Sequence, residues 1–318
     1  MAGIIKFFIL FFVIAIAVAI LIKKASKPRY LKIAEMTNLP PELGVNKNLH
    51  LEKRVQKLEA SLPSEFKERL KRRYLSEHPK ATEAYFEACF YELKRFFIMC
   101  SLLNNVLMFS KKVDAIWHEM LMYTKEYEKF SSDLCGEHIH HAPNDTVTPD
   151  PHGRAWFDLL YAKLFAFTEF TPVAWGTFFQ NPLHPGLLEE LRTLSVEDLS
   201  RRYFRENVDQ DTVHALLTEI KNEIERFKKE NDPYKGLKLS PTAIDSAPIL
   251  AGAMLYYSYH HFDEYEGHMG KLNPANNYSG NSTACGSSCR NDNHDSSCSG
   301  DGGGSSCGSS CGGGCGSS

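Results

Sequence analysis

Apolar side chains recur at steps of three and four residues through most of this chain, and that spacing restricts the chain to helices. One segment shows the pattern clearly, because it carries an aromatic face made by Phe86, Cys89, Phe90, Leu93, Phe97 and Cys100. Such spacing places every member on one side of an α-helix. Few segments alternate polar and apolar residues with the period of two that strands require. The sequence therefore predicts a mainly α fold without a sizeable sheet.

Further helices are predicted after this segment. Shorter ones are expected near 156–170 and 187–194, and Ser195 with Asp198 three residues later resembles a capping box that begins another. A long amphipathic helix, which ends before Pro233, is indicated by Val213, Leu216, Leu217, Ile220, Ile224 and Phe227.

The apolar segment 247–259 raises the alternative of a membrane span. It is short for that purpose, and Pro248, Gly252 and three tyrosines interrupt its apolar character. A span needs about 20 predominantly apolar residues. We therefore expect a buried or interfacial helix here.

The N-terminal end of the chain carries a stronger membrane signal. Residues 4–22 are apolar except for Lys6, and nineteen helical residues span about 28 Å, close to the ~30 Å hydrocarbon core. A cleaved signal peptide would have a shorter apolar region followed by small residues. Here the run leads directly into Lys23, Lys24, Lys27 and Arg29. These flanking charges predict a single-pass anchor in the cell membrane, with the C-terminal bulk of the chain in the cytoplasm.

The C-terminal end has a different composition. From about residue 276 the chain is dominated by glycine and serine, and it carries six of the nine cysteines, namely Cys285, Cys289, Cys298, Cys307, Cys311 and Cys315. With no aliphatic side chain to bury, this tail is expected to be disordered and expendable for folding. The sequence thus divides into an anchor at 1–27, a linker at 28–50, a helical domain at 51–275 and the tail at 276–318.

The net charge of −3 argues against a nucleic-acid partner. The one basic cluster runs from Lys67 to Arg73, and because Glu68 interrupts it we interpret it as the solvated face of a helix. Three cysteines outside the tail, at 89, 100 and 135, lie in apolar or helical surroundings typical of unpaired core thiols.

Side chains able to hold a metal or move a proton concentrate between residues 110 and 143. Ser110 is a suitable N-cap for a helix expected to run from Lys111 to about Leu134, with Trp117 in its core-facing stripe as a structural residue. Asp114 and His118 are one helical turn apart at the edge of that stripe. About twenty residues later comes a denser cluster, His138-Ile139-His140-His141.

A turn after the helix could return these histidines to His118. Asp114 would then orient His118 by accepting its Nδ1 proton, while His118, His140 and His141 bind Zn²⁺ or another divalent ion. No other cofactor is expected. The alternative is that His118 is a structural histidine bonded to Asp114 and that the cluster is an exposed turn. Glu119 and Glu126 are expected to point away from the site, and the pattern is not that of a zincin because position 122 is Met.

A second histidine grouping occurs near the end of the helical domain. His260, His261 and His268 lie close in sequence to Asp263 and Glu264. We interpret this grouping as polar surface at a helix end.

The 110–143 region also resembles a known family. The residues that carry the resemblance are Leu93-Lys94-Arg95-Phe96-Phe97, Ser110, Val113-Asp114, Trp117-His118-Glu119, Leu121, Thr124, Tyr127, Phe130, Gly136, His140-His141 and Pro143. They are similar to uncharacterised bacterial relatives of the glycine-rich domain-containing proteins. Those relatives have a Val-Asp-x-x-Trp-His helix, a His-His-x-Pro turn and often a Gly/Cys-rich tail. The resemblance spans about 85–143 and implies no established activity. Ser131 stands where the family often has cysteine, so a thiolate ligand is not expected there.

Three functional hypotheses follow. The chain is a membrane-anchored cytosolic helical protein with a divalent-metal site, a metal-assisted hydrolase that uses His118 or His140, or a non-catalytic scaffold whose tail recruits protein partners. The hydrolase is weakened because no carboxylate is clearly placed as a general base.

Overall fold

A computed structural model of the protein describes residues 39–141, 150–228, 231–239 and 246–273. This described part is helical, and its only extended pairings are isolated bridges at Val45–Phe165 and Leu103–Phe204. The α-helices are α1 (Glu52–Ser61), α2 (Ser64–Glu77), α3 (Glu83–Leu102), α4 (Lys111–Leu121), α5 (Thr124–Cys135), α6 (Pro151–Leu164), α7 (Thr171–Trp175), α8 (Pro185–Thr193), α9 (Val196–Tyr203), α10 (Gln210–Phe227), α11 (Ala247–His260) and α12 (Tyr265–Leu272). The predicted mainly α class is confirmed.

Helix α3 lies at the centre of the core and is buried on nearly all sides. Its aromatic face packs against the two helices that follow it. Phe97 lies with its ring centroid 5.6 Å from that of Trp117 on α4 and 4.8 Å from that of Phe130 on α5. Phe96 lies 5.3 Å from the same Trp117 ring. The 110–135 region is therefore held on the core by aromatic contacts, two of which involve Trp117.

The chain before α1 contributes to this core as well. Within the expected linker, the described stretch 39–50 buries Leu43, Val45 and Leu49. Backbone hydrogen bonds tie it to the end of α6, from Asn46 N to Leu164 O at 2.8 Å and from Ala166 N to Gly44 O at 2.8 Å. The compact domain accordingly begins before residue 51.

The single helix expected from 111 to 134 is wrong, because the structure divides it into α4 and α5. Tyr123 leaves the helical conformation with φ −100° and ψ 66°. Its ring packs edge-on against Phe66 of α2 at 5.5 Å. Local propensity alone favours an unbroken helix through Met122 and Tyr123, and this tertiary contact overrides it.

Several other expectations are confirmed. Ser195 caps α9 by accepting a hydrogen bond from Asp198 N at 3.0 Å. Helix α11 is buried almost throughout, as predicted for 247–259. Cys89, Cys100 and Cys135 are free thiols, and burial raises the pKa of Cys89 to about 12.

The helix expected at 156–170 is shifted toward the N-terminus, since Asp150 caps α6 at Pro151 and Phe165 leaves the helix to form its bridge.

Two sequence predictions lie outside the described residues, namely the N-terminal anchor at 1–27 and the tail at 276–318. Among the helices of the described part, none combines the length and the apolar content that crossing a membrane requires.

Candidate metal site

Asp114 and His118 are positioned by the capped start of α4. Ser110 Oγ accepts a hydrogen bond from Val113 N at 3.1 Å and donates to Ala174 O at 2.6 Å, which fixes the first turn against α7. One turn apart on the same face, Asp114 Oδ2 and His118 Nε2 are separated by 3.6 Å. This distance is too long for a hydrogen bond. Asp114 therefore does not hold His118 through a hydrogen bond, and the nitrogen that faces it is Nε2 rather than the expected Nδ1.

The chain returns to α4 after α5 ends. Gly136 closes α5 with a φ of 79°, a left-handed conformation that glycine adopts without strain. Tyr127 then holds the returning segment, because its hydroxyl donates to Ile139 O at 2.6 Å and accepts from Trp117 Nε1 at 3.0 Å. Trp117, Tyr127 and the Ile139 carbonyl thus form a buried chain that fixes the backbone two residues before His141.

His141 completes the group. Its Nε2 lies 2.8 Å from Asp114 Oδ1, a hydrogen-bond distance, and its ring packs edge-on against Trp117 at 4.4 Å. The His118 ring lies 4.6 Å away on another side. The side chain of His141 is only 10% exposed, whereas that of His118 is 55% exposed. The site is therefore firmly held at His141 and open to solvent at His118.

The donor atoms of Asp114, His118 and His141 all lie within 4.8 Å of one another. Ligand atoms about 2.0–2.1 Å from a tetrahedral Zn²⁺ are about 3.3 Å apart. The separation of Asp114 Oδ1 from His141 Nε2 is 2.8 Å and that of Asp114 Oδ2 from His118 Nε2 is 3.6 Å, on either side of that value. Two imidazoles and one carboxylate are also a donor set that first-row transition ions accept. The residues present therefore fit such an ion after small side-chain movements.

His140 is not part of this group. It is exposed, and its ring packs against that of His138 at 4.9 Å. A sequence signal for this arrangement exists, because side chains of an extended segment alternate between two faces. Burial alternates in this way here, since Ile139 is buried and His141 is partly buried, whereas His138 and His140 are exposed. The sequence prediction did not use this alternation.

The two glutamates of this region point away from the site, as predicted. Glu119 pairs with Arg73 at 2.5 Å and Glu126 pairs with Arg69 at 2.6 Å. The basic face of α2 is therefore engaged in part by carboxylates of α4 and α5 rather than wholly solvated. Cys135 is partly buried and lies outside the donor group, and burial raises the pKa of its thiol.

Sequence analysis missed a buried charged pair on α3. Glu92 and Arg95 are both fully buried, with Arg95 Nη1 lying 3.5 Å from Glu92 Oε1. The signal was available, because Glu92 follows Cys89 by three residues and precedes Phe96 by four, which places a charge at core spacing.

Groups from several elements form hydrogen bonds with this pair. Glu92 accepts from Trp175 Nε1 at 2.8 Å, from Thr171 Oγ1 at 3.1 Å and from the Tyr161 hydroxyl. Arg95 donates to acceptors at 2.9–3.0 Å, which are Leu43 O, Ala166 O and the hydroxyls of Tyr91 and Tyr161. Burial acts to lower the pKa of Arg95, but attraction to Tyr161, Glu92 and Tyr91 outweighs it and raises that pKa. We call these residues the Glu92–Arg95 network.

Comparison with known proteins finds a similarity over this region. A family model described as UCP032817-like matches residues 53–180. This family is uncharacterised, so the match agrees with the expectation of an uncharacterised relative. The matched residues run from the second residue of α1 to beyond α7, and they include the donor group Asp114, His118 and His141 and the central pair Glu92 and Arg95. No curated protein and no solved structure matches the chain.

Proposed function

We propose that Asp114, His118 and His141 bind a divalent first-row transition ion, with Zn²⁺ the best fit to the donors. The observation that carries this proposal is the convergence of two imidazoles and a carboxylate within 4.8 Å, although His141 is 27 residues from Asp114 in sequence. A metal with three protein ligands keeps a coordination position for water or a substrate. Asp114 acts here as a direct ligand, and His140 has no part.

The proposed site differs from a purely structural histidine cluster in its exposure. His141 packs against the buried Trp117 ring and bonds to Asp114, whereas His118 leaves the group accessible from solvent. Accessible water or a substrate could then complete the coordination shell. Metal-assisted hydrolysis is the second candidate for this reason, since such an ion lowers the pKa of bound water. The pairing of Glu119 with Arg73 withholds the nearest glutamate in sequence from a role as general base.

The cellular setting of this site remains a proposal made from the sequence. The apolar segment at 4–22 and the basic residues after it support a single-pass anchor with the domain in the cytoplasm. The motif residues and the Gly/Ser/Cys-rich tail support a relation to the glycine-rich domain-containing proteins. A cytosolic reporter fused after Ser318 should be active, and activity of an exported reporter there would contradict this topology.

Elemental analysis of the full chain, purified without chelator, tests the metal site. Asp114→Asn, His118→Ala and His141→Ala should each lose one equivalent of metal relative to the wild type. His140→Ala is the matched control, because it removes a neighbouring exposed histidine outside the donor group. Comparison with the wild type cancels any metal held by tail thiols. If all four variants retain the wild-type content and Zn²⁺ raises their melting temperatures equally, the site is structural, as in the scaffold hypothesis.

A further inference from the structure

A second group of donor atoms lies near the end of the described chain, beyond the residues that the family model matches. His261 follows α11, Glu264 ends the short 3₁₀ helix Phe262–Glu264, and His268 lies on α12. His261 has non-helical backbone angles, with φ −139° and ψ 47°, and the chain turns there from α11 into the 3₁₀ helix. The donor atoms of the three residues lie within 4.8 Å of one another, as in the first group. The expectation of plain helix-end surface overlooked this convergence.

The side chains in this second group lie close together, but they are not joined by a strong hydrogen bond. The His261 and His268 rings stack at 4.4 Å with an interplanar angle of 28°. His268 Nε2 lies 3.4 Å from Glu264 Oε2, longer than the 2.7–2.9 Å typical of a charge-assisted hydrogen bond. Glu264 is 76% exposed, so a pair of this kind with His268 contributes little stability. The donors are thus available to a ligand.

The His268 ring packs against an aromatic side chain. The Tyr257 ring stacks on it at 4.7 Å, and the Tyr257 hydroxyl lies 3.3 Å from both carboxylate oxygens of Asp232. His260, the third histidine of the sequence grouping, is directed elsewhere, since its Nε2 lies 3.2 Å from Phe227 O. Only two of the three histidines therefore face the carboxylate of Glu264.

We propose that His261, Glu264 and His268 form a second divalent-cation site, suited to Zn²⁺ or another ion that imidazole favours. Two imidazole nitrogens and one carboxylate oxygen supply three ligands, and water supplies the remainder. Binding requires the stacked rings to turn until their nitrogens converge. All three ligands come from one segment of eight residues and none of them is buried, so we expect weaker binding here than at Asp114, His118 and His141.

Histidine modification by diethyl pyrocarbonate, mapped residue by residue by mass spectrometry, tests this site in the full chain. Zn²⁺ should slow the modification of His261 and His268 several-fold. His214 is the internal control, because it is a surface histidine paired with one carboxylate, that of Glu197, at 3.1 Å. Its modification rate should not change. Glu264→Gln should abolish the protection of both histidines without changing the melting temperature, since Glu264 is largely exposed.

The outcomes separate this proposal from the first one. Protection of His118 and His141 with unchanged rates at His261 and His268 would overturn the second site and leave the proposed function standing. Protection confined to His261 and His268 would support the second site and count against the proposed function. Protection of His261 and His268 that persists in the Glu264→Gln variant would overturn the three-ligand assignment. Zn²⁺ held by tail thiols leaves all these histidines reactive and counts against the proposal.

Discussion

The Glu92–Arg95 network and the Asp114–His118–His141 group both bring charged or ionisable side chains together, yet they differ in what remains for a ligand. Around Arg95, four oxygen acceptors at 2.9–3.0 Å take its donors, and three side-chain donors bond to Glu92. At the second place, Asp114 bonds to His141, and its other oxygen is 3.6 Å from His118.

The difference shows how burial and saturation distinguish a structural polar cluster from a binding site. A buried charge must have its hydrogen bonds made within the protein, because water cannot replace them. The Glu92–Arg95 network meets that requirement and so contributes to holding α3, α6 and α7 together. The donors of Asp114, His118 and His141 are less completely buried and bonded, as the proposed metal site requires. Mutations in the Glu92–Arg95 network should therefore lower stability, whereas mutations of Asp114, His118 or His141 should mainly reduce metal binding.

The largest expected effect on stability is at Arg95. Arg95→Met leaves the buried Glu92 charge without its cation and should lower the free energy of unfolding by ~3–5 kcal/mol. Lys94→Met is the matched control, since Lys94 pairs with Glu59 near the surface and should cost less than ~1 kcal/mol. Denaturant unfolding of both variants measures the difference. Equal losses would mean that the network has no special structural role.

Trp117→Ala should have a comparable effect on stability and also weaken the metal site. Its ring contacts Phe96, Phe97 and His141, and removal of a buried aromatic side chain costs ~3–5 kcal/mol. Thermal and denaturant unfolding should show this loss, while titration with Zn²⁺ should show weaker binding in the folded fraction. A variant with wild-type stability would contradict the packing assigned to this ring.

Tyr127→Phe should have an intermediate effect on stability. The substitution removes the hydroxyl that links Trp117 Nε1 to Ile139 O, leaving buried polar groups unpaired at a cost of ~1–3 kcal/mol. Because the same link positions the segment before His141, Zn²⁺ affinity should fall by about tenfold, as for residues that orient metal ligands. Tyr123→Phe is the control, since its hydroxyl makes only a 3.4 Å contact with Arg69 O near the surface. Calorimetric titration of both variants decides whether Tyr127 positions the site.

The smallest effect on stability should accompany the largest effect on binding. Asp114→Asn disturbs a partly exposed pair and should change the free energy of unfolding by no more than ~1 kcal/mol. It should nevertheless remove bound Zn²⁺, together with the rise in melting temperature that Zn²⁺ produces in the wild type. A large loss of stability in metal-free protein would instead place Asp114 with the structural network.

Much of the fold could be predicted from the sequence, because a strong helical spacing of apolar residues is a local signal. The aromatic face of α3 and the Ser195 cap of α9 are examples of such local signals. The break at Tyr123 has no such local signal, and it occurs where Tyr123 contacts Phe66, which lies 57 residues earlier in the chain. The choice of His141 over His140 was accessible through the alternation around Ile139. The hydrogen-bond partners of Glu92 and Arg95 could not be foreseen, because many of them come from α6, α7 and two loops.

The break between α4 and α5 has a consequence for how the site relates to folding. A continuous helix from residue 111 to 134 would be about 36 Å long and would carry His141 far from Asp114. The break allows the chain to reverse, so the three donors meet only after this hairpin has closed. An ion that binds only the closed hairpin would favour closure by mass action, by about 2.7 kcal/mol at a concentration one hundred times its Kd. Because aromatic contacts with Phe97 already hold the closed hairpin on the core, this free energy would add to the resistance of the closed hairpin against local opening.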